Sequence, residues 1–269
     1  MYKKLLLVTI IATSLALSAC DSSSEKTDQE QNESAHSSNP DILPYLNIKQ
    51  QSANFALPFC ENKNCIDVDI QTIQTQDTWL NSWIEKNQAT VIQDQIGLNQ
   101  NMNLQQAINA YVKKSDAWQA EEKNKSAYEL TVYTRMAYQR NQYLLLQIGL
   151  DSKQDGVNTT ERYYFFAADR KQQKALKILD VIDAKQQVNM NDFVQKAYQE
   201  WLEKQIPSVK EIAPKKLLWG QADWFFDHEG LGLHFRTNEI VKDAQQLDIY
   251  LTKAQTQQVV KPVIYENMF

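Results

Sequence analysis

Asp227, His228 and Glu229 stand at consecutive positions, and His234 follows close behind. Nowhere else in the chain does a histidine stand between two carboxylates. Carboxylates beside imidazoles can pass protons at neutral pH or hold a divalent metal. Neighbours on a strand or turn, however, point in different directions, and Asp-His-Glu is also what an exposed turn contains. These four residues are therefore candidates for a ligand or metal site, with no catalytic residue, metal ligand or cofactor assigned. The sequence has no G-x-S-x-G, H-E-x-x-H, G-x-G-x-x-G or Walker pattern, and it has only six glycines from which to build a phosphate loop.

The other reactive side chains are three cysteines. Cys60 and Cys65 enclose the turn-forming tetrapeptide Glu61-Asn62-Lys63-Asn64, and apolar, strand-like residues flank both. An even pair in an exported chain reads as a disulfide, here closing a small hairpin loop. A metal site would need more ligands nearby, and thioredoxin-type redox pairs use C-x-x-C.

Cys20 ends a different kind of segment. Lys3 and Lys4 precede an apolar run from Leu5 to Ala19. This is the charged n-region and apolar h-region of a secretory signal, too short for a membrane span of about 20 residues. Leu17-Ser18-Ala19-Cys20 resembles the lipobox of bacterial lipoproteins. The resemblance implies that residues 1–19 are a signal peptide cut before Cys20, and that Cys20 carries a diacylglyceryl group and a further acyl chain such as palmitate. Several chains hold far better than one, at about 0.8 kcal/mol per buried CH₂, so the expected partner of Cys20 is a lipid bilayer. The protein would face the periplasm from the cell envelope. Asp21 resembles an inner-membrane retention signal, a rule that varies between bacteria, so inner and outer membrane both stay open.

Residues 20–42 read as the lipidated cysteine and a flexible linker. Asp21 to Asn39 contains no aromatic or large aliphatic residue and cannot offset its ordering entropy by burial. His36 falls in this stretch as a solvated side chain. The formal charge is −5, and removal of Lys3 and Lys4 with the signal makes it about −7. An acidic chain without a basic stripe has no nucleic-acid partner.

The remaining length suits one large domain or two small ones. Residues 43–125 read as an N-terminal hairpin followed by helices. Trp79, Leu80, Trp83, Ile84, Val91 and Ile92 fall at helical spacing behind Asp77 as cap. Asn103-Leu104-Gln105-Gln106 is a capping arrangement for a second helix. Trp79 and Trp83 could form a ligand platform, but one apolar helix face explains them as well. Residues 126–269 begin with strands in AYELTVYTRMAY, NQYLLLQIGL and TTERYYFFAADR, with a turn at Gln139-Arg140-Asn141 and a short strand in KALKIL. A helix opens at Asn191 and carries Phe193, Val194, Ala197, Tyr198, Trp201 and Leu202 on one face. ADWFFDHEGLGLHFRT is a hairpin turning near Asp227–Gly230. QLDIYLT is a last strand, and Thr252 caps a short helix through Val259. Strands grouped with helices, without strict βαβ alternation, give an α+β fold with an antiparallel sheet packed against helices.

That element order, with FFAADRKQQKALKILDVI (Phe165–Ile182) and WFFDHEGLGLHFRTNEIVKDAQQLDIYL (Trp224–Leu251), resembles the C-terminal domain shared by the anti-sigma factor RsiV, the peptidoglycan deacetylase PdaC and many lipoproteins. The match runs from Tyr128 to Val260. Many members carry a Gly-Gly-Ala-His segment where this chain reads DSKQDGVNTTERY, and a Gly where it reads Asp243-Ala244-Gln245-Gln246. Roles tied to those features do not carry over. The expected function is that of a non-catalytic, membrane-anchored envelope lipoprotein that binds an envelope protein or peptidoglycan. The alternative is a glycan- or peptidoglycan-acting hydrolase with an acidic site at Asp227 and Glu229.

Overall fold

The computed structural model describes residues 43–60, 64–121 and 126–269. The signal peptide, Cys20 and the linker lie outside the described residues. Leu43–Phe269 forms one compact unit.

Its elements in order are β1 (Lys49–Ser52), β2 (Asp67–Gln74), α1 (Thr78–Asp94), α2 (Leu104–Glu121), β3 (Glu129–Arg140), β4 (Tyr143–Gln154), β5 (Val157–Asp169) and β6 (Lys174–Leu176). Then come α3 (Ile178–Val181), a 3-10 turn, α4 (Gln187–Glu203), α5 (Pro207–Ile212), β7 (Asp223–Phe226), β8 (Leu231–Phe235), β9 (Leu247–Tyr250), α6 (Lys253–Val259) and α7 (Pro262–Met268). The fold class is α+β. The first six strands form one sheet in sequence order, and β7–β9 form a second, antiparallel sheet.

The large sheet is mixed. β2 pairs with β3 in parallel, Ile70 opposite Val132, and its other pairs are antiparallel. Parallel strands need a crossover, and α1 and α2 provide it. Asp77 caps α1 by accepting from Leu80 N at 3.1 Å. Asn103 and Gln106 cap α2 reciprocally. Both helices lay apolar faces on one side of the sheet. Trp83, Ile84, Ile92, Ile108 and Tyr111 pack there against Ile70, Val132, Leu146 and Ile148. Trp79 and Trp83 stack at 6.0 Å as part of this face.

The long strands run past the limits that the sequence suggested. Asp155 and Gly156 both have positive φ and make a two-residue hairpin turn, so most of the DSKQDGVNTTERY stretch becomes paired strand. α4 begins at Gln187, a turn before Asn191. Cys60 and Cys65 are disulfide-bonded. The bond lies inside the β1–β2 connection rather than between two flanking strands: residues 53–60 form no strand, and Pro58 has no N–H to give a ladder.

A second core lies beyond the opposite face of the large sheet. Trp224, Phe226, Leu231, Leu233, Phe235 and Ile249 share one side of the small sheet. They join Tyr198 and Trp201 of α4, Val259 of α6 and Leu145 and Ala167 of the large sheet. Leu233 is fully buried, so Leu233→Ala should cost about 2–5 kcal/mol. His228→Ala, in the exposed turn, should stay within about 0.5 kcal/mol. Chemical denaturation of both variants checks this.

The disulfide closes a short loop, and its loss should cost about 2 kcal/mol. Mass spectrometry of unreduced peptides should find Cys60 bonded to Cys65; two free thiols, or a bond to another chain, would refute the pairing.

Candidate functional site

The four residues singled out by the sequence do not converge. Asp227 closes the β7–β8 turn. Its Oδ1 accepts from the backbone N of Glu229 at 2.8 Å and of Gly230 at 3.2 Å, and from the Tyr250 hydroxyl. His228 and Glu229 point into solvent, with side chains 74% and 70% exposed, and lie 3.7 Å apart. His234 sits on β8 and is 2% exposed. Among the described residues, no group of three or more His, Cys, Asp or Glu side chains could hold a metal ion.

Strand register supplies the partners that sequence reading missed. Asp223, His234 and Asp248 are cross-strand neighbours on β7, β8 and β9, so their side chains share a face. His234 Nδ1 lies 2.6 Å from Asp248 Oδ1, and Gln246 donates to the other oxygen at 2.5 Å. Arg236 donates from Nη1 to Asp223 at 2.5 Å, and its Nη2 lies 3.3 Å from Glu239. Its guanidinium lies 4.2 Å from the centre of the Tyr164 ring. Burial works against the Arg236 charge, but Asp223 and Glu239 outweigh it and raise its pKa. Nothing in the one-dimensional order of Asp223, His234 and Asp248 signals this arrangement.

A His–Asp pair can serve as a proton acceptor when a substrate reaches the imidazole. Here the Phe165 ring meets His234 edge-on at 5.1 Å, and Nε2 is buried with no hydrogen-bond partner. His234 is closed off against Phe165, while the Asp248 carboxylate stays half exposed at the rim, and the pair ties β8 to β9. Partial burial pushes the Asp248 carboxyl up, but the hydrogen bonds from His234 and Gln246 and the His234 charge win and hold it below the ordinary range. A depressed carboxylate stabilises the fold above the unfolded value of about 4 and loses that contribution as pH falls through its lower folded value. Urea unfolding across pH should show wild type more stable than Asp248→Asn above about pH 5, and the margin closing below about pH 4.

The surface open to a ligand lies on the large sheet. β7–β9 and the later helices cover its second face over Ala137, Tyr138, Tyr143, Leu145, Ala167 and Leu176, and pack against Phe165 at the margin. The rest of that face is bare. One row across it reads Ser52, Gln71, Tyr133, Gly149, Tyr163 on five successive strands. The next row includes Arg135, Gln147 and Phe165. A Cβ on Gly149 would stand 2.0 Å from the Tyr133 ring, and one on Gly232 would stand 2.1 Å from the Phe225 ring. Glycine thus lets both rings lie flat on the strands.

No protein-family model matches this chain, and no curated protein matches it. Several solved structures resemble it, two of which belong to one family. One is a DUF3298 family protein from Pseudomonas aeruginosa PAO1, 14% identical, with a TM-score of 0.59 over 84% of this chain and 98% of that one. The other is a member of the same family from Bacteroides fragilis, 12% identical, with a TM-score of 0.57 over 83% of this chain and 97% of that one. This chain has the fold of those DUF3298 proteins.

Proposed function

We propose that this chain is a non-catalytic lipoprotein of the bacterial cell envelope, held to a bilayer through Cys20, whose folded part binds an envelope protein or cell-wall ligand. The observation that carries the binding reading is the bare half of the large sheet, where Tyr133 and Tyr163 are half-exposed among hydrophilic side chains. A sheet face without a cover is ordinarily polar throughout, and part-exposed aromatic rings on it are suited to contact. Support for the anchor is the lipobox at Leu17–Cys20 and the linker behind it. The likeness of Phe165–Ile182 and Trp224–Leu251 to the RsiV and PdaC C-terminal domain agrees with the DUF3298 fold of the two neighbours. A hydrolase centred on Asp227 and Glu229 gains nothing from the geometry, since Asp227 is committed to its turn and to Tyr250.

Cys20→Ala should abolish fatty-acid labelling in cells and shift the protein from the detergent phase to the aqueous phase. A variant that labels and partitions like wild type would refute the anchor.

A further inference from the structure

β6 pairs only with the end of β5, from Ala167 to Asp169. At Lys177 the chain turns off the sheet into α3. On that edge β5 has no strand beside Phe165 and Phe166, and the nearby β7 belongs to the other sheet. The Asp223 carboxylate of β7 takes the Phe165 N–H at 3.4 Å, but it does not fill the gap. What remains is a cavity of about 360 Å³ at the seam between the two cores. Small-molecule sites favour such seams and have volumes of about 300–1,000 Å³.

The walls of the cavity are aromatic. Trp83 and Phe166 come from the first core, Phe165 and Trp224 from the second. The two indoles stand on fixed supports. Asn87 donates to the Trp83 carbonyl at 2.9 Å, and Trp224 Nε1 donates to the Leu176 carbonyl at 3.2 Å. Two charged side chains line the same cavity, Asp223 and Lys177. Arg236 holds Asp223 at 2.5 Å, so that carboxylate is answered within the protein. Lys177 is exposed and has no ion-pair partner among the described residues. Asp180, a turn further on, accepts from the Lys177 backbone N at 2.9 Å, and its charge is met by Lys174 at 3.0 Å.

From this we infer that the cavity is a binding site for a small aromatic monocarboxylate, with its ring among the four aromatic side chains and its carboxylate on Lys177. Aromatic bodies gain more on such walls than aliphatic ones of equal area. A single unanswered ammonium at the rim selects one negative charge. The space holds about a dozen non-hydrogen atoms, at the volume a water takes in the liquid. The exposed Gln221 amide, also on the lining, is a donor for the second carboxylate oxygen. This site opens at the edge of the large sheet rather than on its bare face, and it does not depend on the binding proposed there.

The test uses the mature chain from residue 20 with Cys20→Ala, so that no detergent competes for the probe. The probes are 2-naphthoate and its uncharged counterpart 2-naphthamide, followed by calorimetry and by the indole N–H resonances. Naphthoate should bind saturably and shift the signals of Trp83 and Trp224, leaving that of Trp201 in place. Naphthamide should bind about fivefold more weakly, the scale of one exposed ion pair. Lys177→Gln should erase that difference by weakening naphthoate alone, and its exposed position should leave the melting curve unchanged. Ala175→Phe, at an exposed strand position on the lining, should fill the cavity and abolish binding of both probes. Absence of naphthoate binding, a preference for naphthoate that survives Lys177→Gln, or binding indifferent to Ala175→Phe in a variant that melts normally overturns the assignment.

Discussion

β4 runs between two covers, and the rest of the structure is arranged around what those covers leave out. Tyr143 to Leu150 are buried without a break. A strand in that state must be shielded from both sides. On one side α1 and α2 shield its whole length with Leu144, Leu146, Ile148 and Leu150. On the other side the small sheet and the later helices reach Tyr143 and Leu145. Past them Gln147 and Gly149 are covered only by side chains of their own sheet. Gly149 is hidden because the Tyr133 ring lies across it, and Gln147 because Arg135 pairs with it. The cover thus changes from apolar core to a thin layer of rings and amides, and that layer meets solvent.

The two sheets are joined at the same boundary. Phe165 contacts His234 and Phe225 across it, Asp223 binds Arg236, and Arg236 reaches Tyr164. Tyr164 in turn donates to Asp94 at the end of α1 at 2.5 Å. At the other end of β5, Arg170 is 2.7 Å from Asp77 and donates to the carbonyl of Pro44 at 2.7 Å. Asp77 also caps α1. The buried guanidiniums of Arg170 and Arg236 are spent on these junctions. Removing one partner of such a pair strands the other in a dry place, which is why they read as architecture.

The α+β class, the capped helices and the apolar side of the β7–β8 hairpin were legible because each leaves a local period or cap. Asp77 before Trp79, and alternation through Leu231, Leu233 and Phe235, are signals of that kind. The parallel pairing of β2 with β3 was not legible, since partner choice depends on a crossover more than 50 residues long, from Gln74 to Glu129. The Asp-His-Glu cluster drew notice by adjacency, yet adjacency at a turn disperses side chains. The pair that forms, His234 with Asp248, is set by register across two strands. The outward-facing rings were hidden for the same reason: Tyr133, Tyr163, Phe225 and Tyr250 belong to four strands, and Gly149 and Gly232 look like weak points in strands until a ring is placed on each.

If the proposed anchor at Cys20 holds the chain in the envelope, the bare sheet face is where the proposed ligand should meet it. Hydroxyl-radical footprinting of the protein in intact cells, compared with the purified protein, tests that most directly. Tyr133 and Tyr163 should be protected in the envelope, while Tyr45, 85% exposed, and Phe59, 88% exposed, stay as reactive as in the purified state. Unchanged labelling of Tyr133 and Tyr163, with protection of another surface, would contradict the account.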